Sequence, residues 1–430
     1  MTNGVAAAAK LTASEAPNWR RERRLLAIAV AVLVVLPHVP GLNTDFGRSL
    51  LTQMGIAVVF ALSFNQLYGQ TGLLSFGHAV YFGLGGYAAI HVMRAINHGL
   101  PMPVFLVPLA GAAGGLLAGL LFGALTTRRA GTVFALISLG VGELVYAAAF
   151  MLPSVFGGEE GITASRTRAP VDFGVNMGSQ LDVYYAVMAW VVVAVLAMYA
   201  FTRTPVGRMC NAVRDNPERA EFVGYSTPRV RFVAFAVAAL FAGLAGGLHA
   251  INYEIVGAEA VGAPRSGTVL IMAYIGGASY FSGPILGAVA ITWLSSSLSE
   301  YTSAWLLYLG IFFIGMILFA PSGLAGLLLM HRPIVRTRGM RCVLAAYAVA
   351  LIPLVVTATG AVLAIEMAYR LATQPELGTR VRFVGTTVDA ASPAPWIAAA
   401  VALLGGFALF RATWRVVASA WDRALAQAKA

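Results

Sequence analysis

The chain has 430 residues, of which 59% are hydrophobic and only 11% are charged. Soluble domains carry about 25% charged residues, so this composition excludes an ordinary soluble fold, which would expose too much apolar surface to water. The net charge of +11 comes almost entirely from arginines in short segments between apolar runs, which is typical of the cytoplasmic loops of a membrane protein and disfavours nucleic-acid binding.

Apolar stretches long enough to cross a bilayer recur along the chain and predict about ten transmembrane helices. Helices are expected because backbone in contact with lipid must satisfy its own hydrogen bonds. A polar tail at residues 1–24 precedes the first helix, and its arginines place it in the cytoplasm. The predicted fold class is therefore an all-α integral membrane protein with helices at 25–41, 50–68, 78–95, 103–126, 132–152, 182–201, 231–253, 304–329, 342–366 and 395–412.

The stretch 266–300 does not fit a simple span. Its middle, residues 276–284, contains three glycines and a proline, which break helices. Each flanking half has roughly 14 residues, or ~21 Å of helix, which is shorter than the ~30 Å hydrocarbon core. The arginine-rich segments 202–230 and 331–341 both lie inside only if this stretch begins and ends outside. We therefore predict a broken or re-entrant helix pair, with one long tilted span as the alternative.

These placements divide the chain into parts. A transmembrane domain covers 25–330 and includes the cytoplasmic loop 202–230. A C-terminal extension at 331–412 adds two helices and an outer loop. Residues 413–430 carry large apolar side chains at helical spacing, which predicts an amphipathic helix on the inner leaflet, with a frayed tail as the alternative.

Neutral polar side chains are concentrated in the glycine-rich stretch 65–87. Such groups at membrane depth suit a polar or zwitterionic solute, and the amides of a broken helix can hold a carboxylate. A carboxylate within the apolar run 135–150 also predicts a functional residue. The alternative is structural, with the polar groups bonding each other and the carboxylate solvated near the outer end. The predicted substrate pathway consists of Asn65, Gln66, Gln70, Ser75, His78 and Glu143.

Residues 203–231 form the longest charged stretch between predicted spans. Asn216 and Pro217 are typical of the N-cap and first residue of a short helix, and Gly224 is typical of its end. A helix along the membrane face would present charged and apolar groups to a partner protein. The alternative is a solvated cytoplasmic loop.

Several catalytic motifs are missing from the sequence. A phosphate-binding GxxxxGK[ST] loop needs a lysine after a glycine, and neither Lys10 nor Lys429 follows one. HExxH, CxxC and GxSxG are also absent. The sequence therefore predicts a transport protein rather than an enzyme, with no metal site, no catalytic residue and no cofactor of its own.

Five stretches, in order along the chain, resemble the LivM-type permeases of branched-chain amino-acid ABC importers. The glycine-rich run 69–89 resembles the family signature, and 207–224 resembles the loop that docks on the ATPase. The runs 234–250 and 266–288 match in order and spacing, and 319–326 resembles the closing motif. The resemblance covers roughly residues 50–328, while the 100 or so residues that follow depart from the usual length of the family.

The resemblance implies an ABC importer permease fold in a multi-pass protein of the bacterial inner membrane. It implies a LivH-like second permease, two ATPase subunits that bind the ATP, and a periplasmic solute-binding protein. It places ATPase coupling at Arg208, Arg214, Asn216, Glu218, Ala220, Glu221 and Gly224.

The solute stays open at this point. Solutes of the family include branched-chain and other hydrophobic amino acids, urea, short amides and aromatic acids, and an amino acid is the default expectation. A secondary transporter independent of ATP is the alternative from another class of protein.

Overall fold

The structure is a computed structural model, and it describes residues 19–168, 177–335 and 340–429 apart from 374–375, 377 and 384. The predicted tail up to residue 18 lies outside the described residues, as do Arg336 and Arg338 of the predicted cytoplasmic segment. Of the described residues, 302–308 and those from 327 onward form one compact unit, and those from 19 to 301 together with 309–326 form the other.

Helices make up most of the described chain. In the first half they are α1 Trp19–Val35, α2 Asp45–Thr71, α3 Ala79–Asn97, α4 Val107–Thr126, α5 Gly131–Met151, α6 Pro153–Phe156, α7 Gln180–Arg203, α8 Pro205–Asp215 and α9 Pro217–Phe222. In the second half they are α10 Thr227–Tyr253, α11 Ala263–Gly276, α12 Gly283–Tyr301, α13 Trp305–Phe319, α14 Gly323–Val335, α15 Met340–Thr373 and α16 Pro393–Lys429.

Two small antiparallel sheets join the helices. Strand β1 (Ile162–Thr163) pairs with β2 (Ile255–Val256). Strand β3 (Arg380–Phe383) pairs with β4 (Thr386–Asp389) in the predicted outer loop 371–395. The described chain is otherwise helical, so the all-α class is confirmed.

Within the described residues, eight helices are long and apolar enough to cross a membrane, or nine if one bent pair counts as a span. The eight are α2, α3, α4, α5, α7, α10, α15 and α16. The first predicted span, 25–41, differs from the structure because its apolar helical part, Ala27–His38, is shorter than a full span. The chain is a multi-pass membrane protein.

The predicted break in 266–300 is confirmed. Helix α11 ends at Gly276 and α12 begins at Gly283. The two helices pack against each other, and a Cβ on Gly287 would collide with the carbonyl oxygen of Met272. Since the chain turns back on itself here, the alternative of one long tilted helix is wrong.

A second break was not predicted. The expected single helix 304–329 is wrong, because α13 and α14 are separate and bent by 48°. Pro321 lies in the break, and Gly323 follows with φ +67°. Proline disfavours helical geometry in the residue before it, and glycine adopts the left-handed conformation that reverses the chain.

The last helix is longer than expected. Helix α16 runs for 37 residues without a break at 412, so residues 413–429 continue the last helix and are neither a separate element nor a frayed tail. Its Val417 and Ala420 pack against Ala346 and Ala350 of α15. Burial of this face explains why the helix continues.

Helix α10 lies at the centre of the larger unit and contacts α2, α3 and α4. Glycines allow the closest of these approaches. A Cβ on Gly115 of α4 would lie only 2.6 Å from the Cα of Gly243 of α10. Small residues four apart at such contacts are typical of membrane helix packing, and this packing fixes α2 and α3 beside the site described next.

Candidate functional site

The connection between α2 and α3, residues 72–78, is irregular. His78 Nε2 lies 2.9 Å from Ser63 Oγ, and the Ser63 hydroxyl donates to the Phe60 carbonyl oxygen at 2.7 Å. Ser63 is about 12 Å of helix from the end of α2. The connection therefore turns back beside α2 before α3 begins.

Two serines from other helices hold this connection. The Phe76 amide donates to Ser138 Oγ of α5 at 3.0 Å, and the Ala79 amide donates to Ser266 Oγ of α11 at 3.0 Å. Irregular backbone at membrane depth needs such partners because lipid supplies none. Three helices therefore meet at the start of α3.

The structure brings five of the six predicted pathway residues into or beside this connection. Asn65, Gln66, Ser75 and His78 are buried, and Gln70 is partly buried. Among the described residues, each of the five has one buried side-chain polar atom without a hydrogen-bond partner. An unpaired buried group costs about 1–3 kcal/mol, so this stretch is incompletely satisfied. Their role in a solute pathway remains a prediction.

Glu143 lies apart from these five. It is exposed on α5, one residue after Gly142, whose added Cβ would lie 3.4 Å from the Cα of Gly77. Its carboxylate forms no hydrogen bond or ion pair within the part of the chain that the structure describes. Its role in a solute pathway also remains a prediction.

A charged cluster that sequence reasoning missed lies at the start of α11. The guanidinium carbon of Arg265 is 4.7 Å from the centroid of the Phe82 ring. Arg265 also interacts electrostatically with Glu259, Tyr253 and His249. A signal was present, because Arg265 is the only arginine or lysine between positions 232 and 331.

The segment 205–225, which contains the predicted ATPase-coupling residues and is named the coupling segment, forms two short helices, α8 and α9. Asn216 caps α9, its Oδ1 accepting from the Arg219 amide at 2.9 Å, and Pro217 is the first residue, as predicted. Helix α9 ends at Phe222, two residues before Gly224, which has φ +92°. The helix predicted from the capping residues is confirmed.

The coupling segment has its own small core. Ala220 of α9 is buried with Cys210 and Val213 of α8 and with Val230 and Ala234 of α10. Burial raises the pKa of the Cys210 thiol to about 12, so this cysteine is neutral at physiological pH. Ala220 and Cys210 therefore pack in this core and are not exposed to a partner.

Arg214 contacts the end of α2. Its Nη1 donates to the Gly69 carbonyl oxygen, and its Nε and Nη2 lie 3.0 and 2.9 Å from Asp215 Oδ1. A Cβ added to Gly72, which ends α2 with φ +73°, would lie 3.1 Å from Arg214 Cγ. A cation at the last carbonyls of a helix is favourable. Arg214 thereby joins the coupling segment to the glycine-rich stretch.

The outer surface of the coupling segment is partly apolar. Phe222 is 90% exposed, Val223 68% and Tyr225 41%. Sequence reasoning had not selected these three, although their order Phe-Val-Gly-Tyr was visible. Exposed apolar groups among charged ones are typical of a protein–protein contact. The charged neighbours are the exposed residues Arg208, Glu218 and Glu221.

Comparison with known proteins gives consistent results. The family described as branched-chain amino acid transport system / permease component matches residues 47–321. The chain is 26% identical over 328 residues to the high-affinity branched-chain amino acid transport system permease protein LivM of Salmonella typhimurium and to that of Escherichia coli. Each match covers 71% of this chain and 75% of the relative.

The LivH permease protein of Salmonella typhimurium is 23% identical over 296 residues, covering 62% of this chain and 90% of that protein. No solved structure matches. The family match ends at residue 321 and so leaves the C-terminal extension outside it.

Proposed function

The chain belongs to the family of permease components of branched-chain amino acid transport systems, and on this premise we propose that it is the membrane-spanning subunit of an ABC importer. The solute is an amino acid, of the branched-chain or hydrophobic class, moved into the cytoplasm across the bacterial inner membrane. A LivH-like second permease completes the pathway, and a periplasmic binding protein delivers the solute. Two separate ATPase subunits hydrolyse the ATP.

The observation that carries this proposal is the exposed apolar surface of the coupling segment. Phe222 and Val223 are exposed beside Glu218 and Glu221 at the end of α9. An aromatic anchor with charged neighbours fits a cleft on a partner subunit. We assign the ATPase subunit as this partner.

Movement of the ATPase reaches the membrane helices through two contacts. Ala220 transmits it to α8 and α10 through the buried core of the coupling segment. Arg214 transmits it to Gly69, at the end of α2. The irregular connection 72–78 begins three residues later, so a displacement of α8 shifts the stretch that carries the predicted pathway residues.

The first test is co-purification of the tagged chain with its ATPase. We expect the double variant Phe222→Ala and Val223→Ala to lose most of the bound ATPase and of the ATP-dependent uptake of L-leucine, because truncating an aromatic anchor that becomes buried on docking costs about 2–4 kcal/mol of binding. Arg128→Ala, at an exposed position in another loop, is the matched control and should retain both.

Arg214→Ala separates docking from transmission. We expect this variant to retain the ATPase but to lose uptake, because Arg214 contacts Gly69 and is not part of the exposed apolar surface. Uptake of L-leucine by this chain alone, driven by a proton gradient at constant ATP, would contradict the proposal and favour a secondary transporter. Screening the cognate binding protein against amino acids, urea, amides and aromatic acids distinguishes the solutes of this family.

A further inference from the structure

The start of α11 carries a second feature, which the coupling argument does not use. We propose that Arg265, Glu259 and Tyr87 form a site for the charged head group of a zwitterionic amino acid. Arg265 binds the carboxylate and Glu259 attracts the ammonium group. This inference rests on the proposed function, because it takes an amino acid as the solute.

Arg265 is held within the helical bundle by its neighbours. The next residue, Ser266, accepts the hydrogen bond from the Ala79 amide. Its guanidinium group lies over Phe82, one turn into α3. This region is level with the interior of α2, because His78 bonds to Ser63. A charge at such depth is expensive and marks a functional residue.

The guanidinium group of Arg265 is poorly satisfied. Within the described residues it has no hydrogen-bond acceptor and no ion pair, although arginine carries five N–H donors. Its contacts are the face of the Phe82 ring and electrostatic interactions with Glu259 and Tyr253. A planar group with free donors and a fixed stacking partner matches the two oxygens of a carboxylate.

Glu259 supplies the opposite charge. It lies in the 3₁₀ turn Ala258–Ala260 and interacts electrostatically with both Arg265 and Tyr87. No ion pair joins Glu259 to Arg265 among the described residues, so the two opposite charges interact without direct contact. The ammonium and carboxylate groups of an amino acid supply a complementary pair.

The cluster has a buried base and an open rim. Tyr87 is 3% exposed, and its hydroxyl is buried without a hydrogen-bond partner in the described part of the chain, as is Nδ1 of His249. Glu259 and Tyr253 are exposed. A solute can therefore reach the charges from the rim and find unpaired polar groups at the base.

The test uses the assembled transporter, with the partner permease and ATPase subunits, in nanodiscs without the binding protein. Radiolabelled L-leucine is the probe. Two competitors each keep one charged group of leucine. 3-Methylbutylamine lacks the carboxylate, and 4-methylpentanoate lacks the ammonium group. In the unchanged transporter, we expect 4-methylpentanoate to displace leucine better than the amine does.

Arg265→Gln should weaken leucine binding about ten- to a hundredfold, the loss expected for a charge-assisted pair. It should also remove the advantage of 4-methylpentanoate over the amine. Glu259→Gln should weaken leucine binding less and leave 4-methylpentanoate unaffected. Arg265→Lys should be intermediate, and Arg128→Gln, an exposed arginine elsewhere, should bind as the unchanged protein does.

Unaltered leucine binding by Arg265→Gln would overturn the site, as would an equal loss for leucine and both competitors, which indicates a structural role. If Arg265→Gln does not assemble, Arg265→Lys and the exposed Glu259→Gln decide by the same competitor comparison. Absence of ATP-dependent leucine uptake by the unchanged complete transporter overturns the proposed function itself. Uptake by the unchanged protein together with normal binding by the variants overturns only the site.

Discussion

Two arginines of similar partial exposure border the irregular stretch 254–262, and they differ in their partners. Arg166, from the loop before α7, donates from its side chain to Met177, Ile251, Asn252 and Gln180 at 2.9 to 3.3 Å. Arg265, at the start of α11, has no such bond among the described residues.

The difference separates a structural cation from an available one. The Ile251 and Asn252 carbonyls end α10, so Arg166 satisfies a helix C-terminus, where a cation is favourable. Arg265 packs on an aromatic ring near an acid, and its donors stay unused. Partial burial is therefore a poor guide to the role of an arginine, and the number of its acceptors is a better one.

The largest expected effect is a difference in stability between variants that lack one arginine or the other. Arg166→Gln should lower the free energy of unfolding by about 2–4 kcal/mol, because several charge-assisted hydrogen bonds are lost together. Arg265→Gln should lower it by less than about 1 kcal/mol. Thermal unfolding of the purified chain in detergent measures both. Equal destabilisation would break the distinction between the two sites.

The two neighbouring acids sharpen the comparison. Glu254 Oε1 accepts from the Arg166 amide at 2.6 Å, while the side-chain carboxylate of Glu259 accepts no hydrogen bond among the described residues. Glu254→Gln should therefore cost about 1 kcal/mol of stability, since a neutral amide is a weaker acceptor. Glu259→Gln should cost almost nothing and act on leucine binding instead. A stability loss at Glu259 larger than at Glu254 would contradict this assignment.

The smallest effect on leucine binding is expected at Ser266. Ser266→Ala removes the acceptor for the Ala79 amide and should cost about 1 kcal/mol. It should also weaken leucine binding a few-fold by loosening the start of α11. Ser295→Ala is the matched control, because the Ser295 hydroxyl bonds, among the described residues, only carbonyls of its own helix, at 2.8 and 3.1 Å. If the two serine variants behave identically, the hydrogen bond between Ser266 and the Ala79 amide does not position Arg265.

Local chemistry made several features of the fold predictable. Asn216 and Pro217 carry a capping signal that acts within one turn, and the structure has α9 where they place it. The break at 276–284 follows from glycine and proline, whose backbone preferences do not depend on distant residues. The same local effect ends α13 before Pro321, although the family-like motif there had been assigned to a single helix.

The site was less predictable because its contacts join distant positions. Arg214 had been selected for the docking surface, but it bonds Gly69. Phe222 and Val223 are exposed because Ala220 occupies the buried side of the same short helix. Neither orientation follows from residue type, since charged residues are common on both sides of a loop.

The sequence by itself determined that the protein lies in a membrane, where its main apolar spans run, and where α9 begins. These follow from composition and from signals within a few residues. Only the tertiary structure decided that Arg166 is satisfied and Arg265 is not. The acceptors of Arg166 lie up to 86 residues away, and hydrogen bonds over such separations are fixed by how the helices pack, which no local pattern encodes.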